Sequence, residues 1–142
     1  MKFALLIYNE ENVIDSLQAD GKFDGMMREC FDHVDQLAEQ GKWLGAQQLQ
    51  STSKAKSVRV RNGKVTTLDG PFAETKEMLS GFNIIEAESM EEAIEVASHF
   101  PWAQVGTVEV RPLRDIDVVK SNVQSGRTAW ADSLSRDSSR NQ

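Results

Sequence analysis

The chain has 142 residues, 39% of them hydrophobic and 27% charged, with a formal net charge of −6 at pH 7, a composition that fits one globular domain around one core. No run approaches the roughly 20 apolar residues of a membrane span, and Met1-Lys2 leads directly into a strand pattern and not a signal peptide, so the expected compartment is the cytoplasm. The acidic balance disfavours nucleic acid, whose affinity comes from clustered Lys and Arg, and the single cysteine, Cys30, excludes an internal disulfide and a cysteine-based zinc site.

Lys2 to Tyr8 is an almost uninterrupted apolar run, the pattern of a strand buried on both faces. Phe3, Leu5 and Ile7 take one side, and Ala4, Leu6 and Tyr8 the other. Asn9 to Gly21 is polar and reads as a loop. Met26, Met27, Cys30, Phe31, Val34, Leu37 and Ala38 then recur at helical spacing, and Gly41 supplies the left-handed residue that stops the helix. Trp43 to Leu49 is a second strand.

Asn62-Gly63 is a two-residue hairpin turn that sets Val60 opposite Val65 and Val58 opposite Thr67, leaving Arg59, Arg61, Lys64 and Thr66 on the other face. Residues 69–77 follow as a dense loop, Asp-Gly-Pro-Phe-Ala-Glu-Thr-Lys-Glu. Pro71 stiffens it, Phe72 is expected to pin it to the core, and a short helix is expected from Pro71 to Leu79. Phe82 to Ala87 is a strand. Ser89 and Glu92 form a capping box for a second helix whose inward face is Met90, Ala93, Ile94, Ala97 and Phe100 and which Pro101 ends.

Gly106 to Leu113 is the last core strand. Asp115 to Gln142 turns polar and Ser-rich; Ile116, Val119 and Val123 form a short amphipathic stretch, Trp130 is expected to dock on a neighbouring subunit, and Ser135 to Gln142 has the composition of a disordered end.

This order gives an α+β, ferredoxin-like βαββαβ domain with an inserted β-hairpin over residues 1–114, followed by a tail over 115–142. Two helices cover one face of such a sheet, yet the first strand is apolar on both faces. A second copy of the sheet, giving a homodimer, is the simplest cover for the other face; the tail folding back is the alternative.

The nonapeptide, with the Ser57-Val58-Arg59 strand before it and Val108-Glu109-Val110-Arg111-Pro112 after it, resembles the DGPF branch of the YCII-related proteins over residues 1–113. The resemblance implies a dimeric α+β barrel. It also implies an association with alternative sigma factors, beside which such proteins are often encoded. Some enzyme-like relatives are similar to one another in a His on the first helix and an Asp before a Pro after the second, an acid/base dyad. Counted from Gly41, those positions here are Cys30 and Phe100, so neither partner is present.

Among residues able to carry chemistry, Asp69 stands at a strand end before a rigid turn, where partial desolvation suits a general base. His33, on the edge of the buried stripe of the first helix, is its candidate partner; the plain alternatives are turn geometry for Asp69 and packing for His33. Phe72, Glu74, Lys76, Arg59, Arg111 and Tyr8 are candidate ligand contacts, with Arg59 or Arg111 holding an anion. Glu77 belongs to the same charged loop. Glu109 and Arg111 share a strand face, where a salt bridge is the common outcome. Cys30 reads as a small buried hydrophobe, and His99 as a residue favouring the C-terminal end of the second helix.

No phosphate loop, nucleophile elbow or His-Glu-x-x-His occurs, and no metal or cofactor is expected. Besides a dimeric scaffold without a ligand, two functions remain in view. One is a small-molecule binder or acid/base enzyme with its pocket between the sheet and the motif loop; the other is a regulatory module that contacts a protein partner.

Overall fold

The computed structural model describes residues 1–126. The first strand, β1 (Lys2–Asn9), runs through the middle of a four-stranded sheet, as its apolar character on both faces requires. Two short connections later the chain enters a long helix. The first connection is helix α1 (Val13–Ala19), so the expected loop from Asn9 to Gly21 is corrected. Val13, Ile14 and Leu17 share one face of α1 and pack with Ile7, a spacing too brief to stand out among polar neighbours.

Helix α2 (Phe23–Glu39) buries Cys30 and Leu37 and stops where expected. Gly41 adopts φ +71° while its N–H bonds to the carbonyl of Ala38 and that of Lys42 to Leu37, a Schellman cap that a β-carbon would strain. Strand β2 (Trp43–Gln48) follows. A single 3-10 turn at Thr52–Lys54 then leads to the hairpin β3 (Lys56–Arg61) and β4 (Lys64–Asp69).

The hairpin has the expected register, Val60 opposite Val65 and Val58 opposite Thr67. It forms its own two-stranded sheet, separate from the main one, and every residue of β4 is exposed.

The expected helix from Pro71 to Leu79 does not form. The chain bends through 71–77, and β5 begins at Met78, running Met78–Glu86. The physical reason is local: the Thr75 hydroxyl donates to the carbonyl of Glu77 at 2.5 Å, and the Thr75 N–H reaches the Met78 sulfur at 3.3 Å, which competes with helical bonding. Helix α3 (Met90–Ser98) is capped by Ser89, whose hydroxyl accepts from the Glu92 N–H at 3.2 Å. Its expected inward face needs one correction, because Ile94 is 53% exposed and Val96 is buried instead. Pro101 caps a further short helix, α4 (Trp102–Val105), before β6 (Thr107–Pro112) and helix α5 (Ile116–Gln124).

The main sheet has the order β2-β5-β1-β6, with all neighbours antiparallel. Phe3, Leu5 and Ile85, fully buried, meet Leu37 of α2, Val96 and Ala97 of α3 and Phe100 just after it to make the principal core. Ile7, Leu17, Cys30 and Trp102 make a second cluster at the other end of β1. On the opposite sheet face Leu6, Tyr8, Phe82 and Ile84 are only half-buried. Asn122 of α5 is 2% exposed, so the start of the expected tail is docked; Trp130, Leu134 and Ser135 to Gln142 lie outside the described residues.

Candidate functional site

A cavity of about 220 Å³ lies between α2 and the β2-β5 side of the sheet. Met27, Cys30, Phe31 and Val34 come from α2, spaced so that one helix face looks onto the sheet. Ile7, Asn83, Phe100 and Trp102 contribute from the sheet and from the α3-α4 junction. No Asp, Glu, Lys, Arg or His lines it. Phe31, 60% exposed, forms its rim.

Asn83 is the polar group that gives this cavity chemistry. It sits on the helix-facing side of β5, opposite Leu5, and is 6% exposed. Its Oδ1 accepts from the indole Nε1–H of Trp43 at 3.3 Å. An indole nitrogen only donates, so the orientation of the amide is settled and Nδ2 carries the remaining capacity, two N–H donors. Among the described residues no acceptor meets them. Nδ2 is open to solvent and not sealed in protein, so an occupant that brings an acceptor can meet it.

Cys30 is 5% exposed, and burial first, then the charge of Glu29, pushes its thiol up to about 11. At neutral pH it is therefore a thiol and not a nucleophile. Cys30 and Phe100 both line this one cavity.

The residues singled out in the sequence are scattered. His33 lies between α2 and α3, where its Nε2 meets the Val96 carbonyl at 3.0 Å and its ring packs edge-on against Phe100 and His99. It borders an open polar groove with Glu29, Asp32, Lys42 and Glu92. The hydrogen bond from Lys42, then that from the Glu88 N–H, holds the Glu92 carboxyl below its usual value. Asp69 is largely exposed at the foot of the hairpin and pairs with Lys56. Asp69 and His33 share no cavity among the described residues.

Phe72 is not pinned to the core: it is 75% exposed, and Arg59 stacks 4.8 Å from its ring centre. Glu74 is exposed. Lys76 pairs with Glu10 at 3.4 Å, and Glu77 accepts from the Thr107 hydroxyl at 2.8 Å, so the second half of the motif loop is tied to the ends of β1 and β6. Arg111 is taken up by Glu109, as a strand-face pair should be. Tyr8 lies beside them on the open sheet face; burial, then the charge of Glu109, raises its hydroxyl above the usual value.

Asn83 and Trp43 were missed in the sequence. Nothing local marks an Asn inside an apolar strand as a cavity donor, and its partner is 40 residues away. The one available signal was a polar residue at an inward position of a β-strand.

An antiparallel sheet in the order β2-β5-β1-β6, with helices over one face and an apolar cavity beneath α2, defines a ferredoxin-like α+β domain. The model of the YCII-related domain matches residues 1–117, and the chain belongs to that family. It is similar to "Uncharacterized protein R00369" of Rhizobium meliloti (strain 1021), 36% identical over 115 residues that cover 80% of this chain and 92% of that protein. No helix among the described residues is long and apolar enough to cross a membrane.

Proposed function

We propose that this protein binds a small, uncharged, mainly apolar molecule carrying a carbonyl or similar acceptor, held in the α2-sheet cavity with its oxygen on Asn83 Nδ2. The observation that carries this reading is a buried amide whose acceptor side is consumed by Trp43 and whose donor side lines an apolar hollow. Size agrees: an engineered cavity of about 150 Å³ admits benzene, and this one has about 220 Å³, room for one ring and a short polar substituent. A charged ligand is disfavoured, because no side chain lining the cavity offsets its desolvation.

The test compares acetophenone with ethylbenzene and benzoate by calorimetry, in the wild type and in Asn83→Leu. The ketone is expected to bind on the order of tenfold more tightly than the hydrocarbon, the worth of one added hydrogen bond, and Asn83→Leu should erase that margin. Labelling of Cys30 by a thiol reagent at pH 8, slow because the thiolate is scarce below about 11, should slow further with ketone present. Tighter binding of benzoate, or a ketone margin that survives in Asn83→Leu, overturns the reading.

Acid/base chemistry between Asp69 and His33 calls for a second copy of the chain, since one chain does not place them in a common cavity. A homodimer is also favoured by a separate observation. Val58, Val60 and Val65 form one hairpin face and are 54–63% exposed, apolar area that a partner surface would cover. Val65→Lys is expected to convert a dimer to a 15.9 kDa monomer in light scattering; a wild type that is already monomeric rejects the dimer and leaves this face to a different protein, such as a sigma factor.

A further inference from the structure

We propose a second ligand site, adjoining the first at Ser80, that takes a small primary or secondary amine in its cationic form. It is a cleft of about 430 Å³ where the ends of β1 and β5 meet α1 and the 3-10 turn. Its floor is built by a bulge. β1 and β5 pair Ile7 with Gly81 but Tyr8 with Leu79, so Ser80 is the extra residue, and such bulges re-aim a side chain.

Ser80 Oγ donates to the Ile7 carbonyl at 3.2 Å and accepts from Asn9 Nδ2 at 2.8 Å. The serine proton is thereby committed, so Asn9 must present its N–H side to Ser80. Its Oδ1 is left as an acceptor with no partner among the described residues. Asn9 is 5% exposed, and it lines the cleft. The Oδ1 atom itself is open to solvent, so it is an acceptor that a donating ligand can reach.

Charge narrows the class. Glu11 and Asp15 line the same cleft, and no Lys or Arg does. Glu11 is held by the Thr52 hydroxyl, which orients its carboxylate without neutralising it. Lys76 of the motif loop is engaged by the neighbouring Glu10. Ile14, Leu49, Met78 and Leu79 supply an apolar wall for a short carbon chain. The arrangement suits an ammonium donating to Asn9 Oδ1 and paired with the two carboxylates, with its alkyl part on that wall.

The motif loop has a place in this site. It runs directly into Met78 and Leu79, and its Lys76 and Glu77 tie it to both neighbouring strand ends. Its charged run therefore positions one wall of an amine cleft, and the Asp69 end stays outside it.

The experiment titrates n-butylamine, n-butanol and butyrate, following the Asn9 side-chain amide signal by NMR and affinity by calorimetry, in wild type and in Glu11→Gln/Asp15→Asn. Both substituted residues are exposed, so the variant is expected to fold; its circular dichroism checks this. Butylamine should shift the Asn9 amide signal and bind at least tenfold more tightly than butanol at pH 7. The double variant should lose that preference, and so should the wild type above about pH 10.4, where such an amine is neutral. Equal binding of butanol, tighter binding of butyrate, or a preference that persists in the double variant overturns the proposal. Acetophenone bound at the other cavity should leave butylamine affinity unchanged, so the two sites succeed or fail separately.

Discussion

Trp102→Ala is expected to lower the free energy of unfolding by about 3–5 kcal/mol, the range for removing a buried indole. Trp102 is 7% exposed and joins Ile7, Leu17 and Cys30 in the second core cluster. It also lines the α2-sheet cavity, so the void left behind merges with an existing hollow of about 220 Å³ and cannot close by a small side-chain shift. Urea denaturation measures the loss as a shift of the midpoint at unchanged slope. The same variant should accept a two-ring ketone that the wild type excludes. A loss below about 1 kcal/mol would mean that the short helix α4 adapts to fill the space and that the cavity wall is soft.

Gly106→Ala is the second large effect, expected at about 2–3 kcal/mol, on the order of 10 °C in Tm for a domain of this size. A β-carbon built on Gly106 would lie 2.2 Å from the carbonyl oxygen of Tyr8 and 3.1 Å from Cβ of Asn9. The first neighbour is main chain where the β1-β6 pairing ends, so no rotamer change relieves the overlap and the start of β6 must move away from β1. Because the displaced segment holds Asn9, the amide of the amine cleft moves as well. Thermal unfolding reads the first consequence, and the Asn9 side-chain signal reads the second. Unchanged Tm with an unchanged Asn9 signal would show that the strands separate there at no cost.

Several elements could be read directly from residue order because their causes are local. The apolar run of β1 demanded a central strand, Gly41 closed α2 by its own backbone freedom, Ser89 capped α3, and Asn62-Gly63 fixed the hairpin register. The errors had local causes of another kind. Helix α1 was hidden because its short apolar face was diluted by polar neighbours. The helix expected after Pro71 was lost to hydrogen bonds from Thr75 that composition does not reveal.

The dense loop at 69–77 drew attention to carboxylates that prove exposed or ion-paired at its start, and to a segment that frames a cleft at its end. What made Asn9 and Asn83 interesting lay elsewhere. Asn9 is oriented by Ser80, 71 residues away, and Asn83 by Trp43, 40 residues away. Cys30 and Phe100 are likewise remote in the chain and line one cavity.

Helix stops and hairpin register follow from interactions among near neighbours, and the succession of strands and helices along the chain was enough to indicate the ferredoxin-like domain. Which amide keeps an unused donor or acceptor depends on partners brought together across the sheet and on a one-residue bulge at Ser80. Hydrogen-bond capacity is a residue's own property, but what remains of it after folding is settled by distant contacts, and that remainder is what a ligand meets.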